Sequence, residues 1–244
     1  MMAISSKLFH LLLLSSLGTL ASATVFTVLN QCPYTVWPGF LSGNGLNLGD
    51  GGFSLAPSKS VQLTSPTGWS GRIWGRTGCH FDASGNGKCL TGDCGSLKCS
   101  LSGQTPATLA EFTIASSPSG MDFYDVSLVD GYNVGISVKA TGGTGDCQYA
   151  GCVADLNRHC PPELQVVSDS GSVVACKSAC AAFNTDEFCC TGGHSSPQTC
   201  SPTRYSEIFK NSCPTAYSYA YDDASSIRTC SGSDYLLTFC PTNS

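Results

Sequence analysis

Short runs of alternating apolar and polar residues recur along this chain, and no long stretch shows the apolar spacing of an amphipathic helix. Alternation with a period of two puts one face of an extended segment on a core. Residues 24–29 therefore predict an opening strand, 60–63 and 71–74 two more, and 108–114 a fourth. Residues 125–129, the pair Asp130-Gly131 and residues 132–138 predict a hairpin, because Asp-Gly accepts the positive backbone angles of a two-residue turn. Residues 235–239 close the set. With abundant Gly, Ser and Thr, the pattern predicts a mainly β chain with many turns.

Two regions break the pattern. Between Cys147 and Cys213 cysteines crowd, and residues 178–183 form good helix-forming sequence that stops near Asn184. The Gly-rich stretch from Cys79 to Cys99 is too poor in apolar residues to bury a core alone and depends on cross-links.

The N-terminus opens with Lys7 ahead of an apolar run and ends in Ala21-Ser22-Ala23, which predicts a secretory leader cut after Ala23. That run is too short to span a bilayer, no later segment is long and apolar enough to do so, and neither a lipid-anchor tail nor a retention signal follows. All 16 cysteines lie beyond the cut, and their even number permits complete pairing in an oxidising compartment. The Cys189-Cys190 pair and the close Cys94/Cys99 spacing offer thiolates to zinc, but knuckles with His partners are absent, so no metal and no cofactor are expected. The formal charge of −5 becomes about −6 without Lys7 and nowhere clusters as Lys or Arg, which argues against nucleic acid and anionic membrane as partners. A neutral polysaccharide meets no such electrostatic penalty.

The run Gly85-Asn86-Gly87-Lys88-Cys89-Leu90-Thr91-Gly92-Asp93-Cys94-Gly95 resembles the signature of the thaumatin family. So do residues 32–38, 71–77, 122–131 and 213–219, and the resemblance covers essentially the whole mature chain; the loop between Cys94 and Cys99 is one residue shorter than the family's usual one. Sixteen cysteines can pair in very many ways, and sequence alone does not choose among them. The resemblance implies Cys32–Cys240, Cys79–Cys89, Cys94–Cys99, Cys147–Cys230, Cys152–Cys213, Cys160–Cys176, Cys180–Cys189 and Cys190–Cys200. It also implies one thaumatin-like domain over residues 24–244. Its core is a flattened β-sandwich (24–78, 107–146 and 214–244), with a disulfide-rich, helix-containing second lobe (147–213) and a small loop-rich third lobe (79–106).

Relatives resembling glucan binders carry an acidic cleft, and the matching positions are Arg72, Glu111, Asp125, Asp130 and one of Asp222 or Asp223. Carboxylates suit sugars because each accepts hydroxyl hydrogen bonds, and a pair can act across a glycosidic bond as acid and as nucleophile or base. The expectation is Glu111 as general acid and Asp125 as its partner, with Tyr124, Tyr132, Tyr219 and Tyr221 offering ring faces. Blander readings stand beside it: Asp130 as a turn residue only, and Arg72 with Glu111 as a structural ion pair. In an unbroken strand Asp125 and Asp130 face opposite sides, so a shared cleft requires a bulge or a strand end between them.

His80, His159 and His194 are the histidines of the mature chain, and no Gly-x-Ser-x-Gly elbow accompanies them, which argues against a serine hydrolase. Phosphate-cradling, metal-loop and N-glycosylation patterns are also missing. The resemblance implies a secreted, monomeric, antifungal defence protein of the apoplast or vacuole that binds β-1,3-glucan. It leaves open slow endo-β-1,3-glucanase activity, inhibition or recognition of a microbial hydrolase, and membrane permeabilisation. Sweetness is not expected, because the sweet members are basic and this chain is acidic.

Overall fold

A computed structural model describes residues 23–117 and 119–242, and the leader predicted at 1–23 lies almost wholly outside them. The strands are β1 (Val25–Asn30), β2 (Trp37–Ser42), β3 (Ser60–Thr64), β4 (Ser70–Arg76), β5 (His80–Phe81), β6 (Gly87–Lys88) and β7 (Leu109–Thr113). They continue as β8 (Asp122–Ser127), β9 (Ile136–Thr141), β10 (Ala150–Gly151), β11 (Gln165–Val167), β12 (Val173–Cys176), β13 (Arg228–Cys230) and β14 (Asp234–Phe239). Four short helices are α1 (Ala179–Phe183), α2 (Asp186–Cys189), α3 (Arg204–Ser212) and α4 (Asp223–Ser226).

Two five-stranded sheets face each other, in the orders β10-β9-β14-β1-β3 and β13-β8-β7-β4-β2. Only the β1–β14 pair among these is parallel, and it joins the two ends of the chain in register Phe26↔Tyr235. In β1 the alternating pattern sends Phe26, Val28 and Asn30 inward. Phe26 meets Phe112 of the opposite sheet edge to face with centroids 4.8 Å apart, and Tyr235 stacks beside it at 5.7 Å. Tyr235 donates its buried hydroxyl to Asp122 at 2.8 Å, so the polar tip inside this aromatic layer is satisfied.

The predicted hairpin over 125–138 does not form. β8 belongs to one sheet and β9 to the other, and residues 128–135 cross between them. Gly131 N–H closes a turn on the Leu128 carbonyl at 2.9 Å, and Tyr132 then pairs with Cys176 at the end of β12. Gly131 has φ 93°, and a Cβ there would lie 2.7 Å from the Cys176 carbonyl oxygen, so the glycine permits a close crossing.

Ser178 caps α1 by accepting from the Ala181 N–H, and Asn184 ends it in the left-handed region at φ 49°. Helix α3 lies in the cysteine-rich stretch outside the sequence-predicted helix, and Thr203 and Ser206 form a capping box at its start. The eight disulfides are Cys32–Cys240, Cys79–Cys89, Cys94–Cys99, Cys147–Cys230, Cys152–Cys213, Cys160–Cys176, Cys180–Cys189 and Cys190–Cys200.

The loops around β5 and β6 are fastened to the second sheet by Arg76, which is fully buried. Its guanidinium donates to the carbonyls of Trp37, Pro38, Ser96 and Leu97 at 2.6–3.2 Å. These loops cover Trp74 and Leu109 on the outer face of the sheet, and Trp74 Nε1 donates to Gly92 O at 2.8 Å. The neighbouring row of that face stays open.

Candidate functional site: an acidic cleft on the outer sheet face

The open row is Arg72 on β4, Glu111 on β7 and Asp125 on β8, aligned by the registers Arg72↔Glu111 and Glu111↔Asp125. Their sequence neighbours Ile73, Ala110, Phe112, Tyr124 and Val126 point into the core, so strand parity turns the three charged side chains outward together. A segment from α3 to α4 closes over the Asp125 end of the row. Tyr217 N–H donates to Val126 O and Leu128 N–H to Tyr217 O, both at 2.8 Å. The resulting hollow of ≈ 380 Å³ is lined by Arg72, Glu111, Asp125, Asp130, Tyr217 and Asp223, among others. A second hollow of ≈ 250 Å³ shares Arg72, Glu111 and Asp125 and extends past Phe123 and Thr113.

Asp130 reaches this cleft because β8 ends at Ser127, and the turn at 128–131 re-aims the side chain. The required strand end is therefore present. Asp223 lines the cleft and Asp222 does not: Asp222 turns inward, 2.7 Å from Lys210 Nζ, and accepts from Ser218 N–H, Ser218 Oγ and Ser225 Oγ. Four groups satisfying its carboxylate hold it there. The same Lys210 donates to the carbonyls of Pro214 and Ala216 and to Ser225 and Ser226 Oγ, which ties down the segment that presents Tyr217 and Asp223.

Two aromatic expectations are corrected. Tyr124 and Tyr132 are buried, Tyr124 because it holds an inward strand position between Phe123 and Asp125, and their hydroxyls donate to Gln148 O and Ala154 O. Tyr219 sits in an adjoining apolar hollow, and Tyr221 donates to Ser195 O. Two aromatics went unrecognised: Tyr217, and Phe123, which is 46% exposed. Phe123 was readable, since it stands two residues from Asp125 on the same face. Tyr217 gave no signal of its own.

The electrostatics separate the two central carboxyls. Arg72 Nε lies 4.0 Å from Glu111 Oε1, at the outer limit of an ion pair, with both side chains more than one-third exposed. Burial raises the Glu111 carboxyl, Arg72 pulls it back and Asp130 adds to the rise. Asp125 is 9% exposed and forms no ion pair among the described residues. Burial first, then Glu111 and Asp223, push its carboxyl up to about 8. Its Oδ1 is buried without a hydrogen-bond partner among the described residues, which a neutral carboxylic acid tolerates far better than a carboxylate. Burial thus favours the protonated form at Asp125 more than at Glu111, where Arg72 works against it. His80, His159 and His194 all lie elsewhere and are exposed or nearly so.

A disulfide-stapled β-sandwich with an acidic cleft across one sheet defines a class of protein. The model of the thaumatin family matches residues 30–241, and this chain belongs to that family, among thaumatin-like plant defence proteins. It is similar to pathogenesis-related thaumatin-like protein 3.5 of Cryptomeria japonica, 64% identical over 226 residues that cover 91% of this chain and 92% of that one. A glucan endo-1,3-beta-glucosidase of Prunus avium is 53% identical over 226 residues, with 91% and 92% covered. Among solved structures, a laminaripentaose-producing β-1,3-glucanase in complex with laminaritetraose shares the fold at TM-score 0.56 and 13% identity, covering 88% of this chain and 98% of that one.

Proposed function

We propose that this protein is secreted, binds β-1,3-glucan of fungal walls along the acidic cleft, and cuts it slowly. The observation that carries the reading is the single row Arg72–Glu111–Asp125, facing Asp130 and Asp223 across one open hollow. The name of the Prunus avium relative points the same way. Complete cross-linking and an acidic, non-clustered charge suit work outside the cell on a neutral polymer.

Asp125 donates its proton to the glycosidic oxygen as that oxygen's bond to the anomeric carbon breaks, and Glu111, whose charged form Arg72 favours, bonds to that carbon; water then displaces Glu111, giving a proton back to Asp125. Glu111 and Asp125 are directly opposed on neighbouring antiparallel strands, where Cβ atoms lie about 4.5–5.5 Å apart, and so close a pair suits the double displacement of retaining glycosidases. Retention of anomeric configuration follows. The test is laminarin binding and sugar release by wild type, Asp125→Asn and Glu111→Gln, with the first-formed anomer read by NMR. Wild type that is held on laminarin but releases nothing ends the hydrolytic half of the reading; wild type that is not held ends both.

A further inference from the structure

The largest of the described hollows is not the acidic cleft. A groove of ≈ 730 Å³ lies where the two chain ends meet the second lobe, and it shares no lining residue with the cleft. Pro33 and Tyr34 form one wall, Pro241 flanks it, and Asp155, Arg158 and Gln165 line the other side. Three disulfides frame it. Cys32–Cys240 fixes Tyr34 and Pro241, Cys152–Cys213 fixes the segment leading to Asp155, and Cys160–Cys176 brackets the β11–β12 hairpin. The floor is equally rigid: the Asn133 amide donates to Gly75 O and Thr91 Oγ1, both at 2.8 Å. A groove held this firmly loses little conformational entropy on filling.

Its chemistry selects among ligands. Tyr34 is 44% exposed, with its hydroxyl turned to Cys240 Sγ at 3.7 Å, so the ring is anchored by its tip and open to the groove. Asp155 and Arg158 neutralise each other at 3.2 Å, which leaves two exposed, hydrogen-bonding side chains and no net charge. An aromatic face beside paired polar groups suits pyranose rings, whose C–H faces are apolar and whose rims carry hydroxyls. Anionic or cationic ligands gain nothing from a balanced pair.

We propose that this groove is a second carbohydrate-binding site for neutral polysaccharide, with Tyr34 as the stacking platform and Asp155 and Arg158 as hydroxyl partners. In its choice of β-1,3-glucan it rests on the function proposed above; in its geometry it is independent of the cleft. Two sites on one rigid body engage a long polymer together, and linked sites raise avidity by roughly 10²–10⁴ over either alone. Polymer binding then exceeds oligosaccharide binding.

The test is an NMR titration of wild type, Asp125→Asn, Tyr34→Ala and Arg158→Ala with laminarihexaose, paired with retention on insoluble β-1,3-glucan. Saturable shifts of the Tyr34 ring and the Arg158 side chain are expected in wild type and in Asp125→Asn, together with a drop of at least about tenfold in polymer retention for Tyr34→Ala. Arg158→Ala, at a side chain that is 79% exposed, guards against misfolding as the cause and should lower retention in the same direction. Shifts confined to the cleft overturn the second site and leave the first. Shifts confined to the groove overturn the cleft reading and keep this one, whereas no shifts in either place overturn both. Equal shifts with polyethylene glycol also overturn the proposal.

Discussion

Tyr217 donates its hydroxyl hydrogen to Asp223 Oδ1 at 2.9 Å across the mouth of the acidic cleft. The two residues come from one segment, and the bond fixes which way the Asp223 carboxylate faces Asp125. Burial, followed by the bond to Asp223 and the nearby carboxylates, raises the Tyr217 phenol, so it stays a donor throughout the working range of pH. Replacing Tyr217 with Phe removes the bond and leaves the ring. Laminarin affinity should fall by about fivefold, near 1 kcal/mol, with little change in the denaturant midpoint; isothermal titration and denaturant melts read the two quantities separately.

Lys210 is a sharper case. Its ammonium pairs with Asp222 at 2.7 Å, with side chains only 25% and 10% exposed, and it also binds two carbonyls and two hydroxyls of the covering segment. Removing one partner of a buried pair strands the other, at a cost of about 3–5 kcal/mol. Lys210→Met should lose that much in non-reducing urea denaturation. Lys210→Met with Asp222→Asn should recover part of it, and a double-mutant cycle gives the coupling directly.

Asp125 sets the pH dependence. Its carboxyl titrates near 3.8 when unfolded and at about 8 in the fold, so the folded state holds a proton that the unfolded chain has lost between those values. The stabilisation from this group is complete below about 4, declines as pH rises and is gone above about 8. Asp125→Asn abolishes that slope. The difference in denaturation midpoint between variant and wild type should therefore move in the variant's favour from pH 4 to pH 8. Sugar release by wild type should fall over the alkaline limb, as the acid loses its proton.

Much of the fold was legible because burial imposes parity. β1 and β3 follow alternation that one buried face enforces, β4, β7 and β14 keep the inward parity although loops or neighbours also bury part of their other face, and the observed ends differ by a residue or two from the pattern. The Asp130-Gly131 signal correctly marks a turn, but a turn does not say whether its flanking strands pair. Here the tight approach of Gly131 to the Cys176 carbonyl sends the chain to the other sheet. β2 was hidden by Pro38 and Gly39, which interrupt its pattern at a sheet edge. In the site, Arg72, Glu111 and Asp125 were named through family resemblance, because cross-strand register is not written in any local pattern. Parity alone would have turned Tyr124 inward and Phe123 outward beside Asp125. The choice of Asp223 over Asp222 depends on Lys210, a contact made through tertiary packing that no local sequence rule reveals.

The disulfides should differ in worth by the loops they close. Cys32–Cys240 spans 208 residues and Cys94–Cys99 only 5. On the loop-entropy model the first contributes about 5 kcal/mol and the second about 2. Paired Cys→Ala replacements at each site, compared by thermal and denaturant melts, should rank in that order.

Because β1 lies against β14 and Cys32 is bonded to Cys240, the backbone between them is a covalently closed ring. A protease that cleaves one peptide bond anywhere inside that ring opens it without releasing a piece, and both new ends stay tethered to the sheet. Inactivation by digestion then scales with the chance of two cuts falling within one unbridged stretch, which makes a first nick harmless to the cleft and to its partner groove alike.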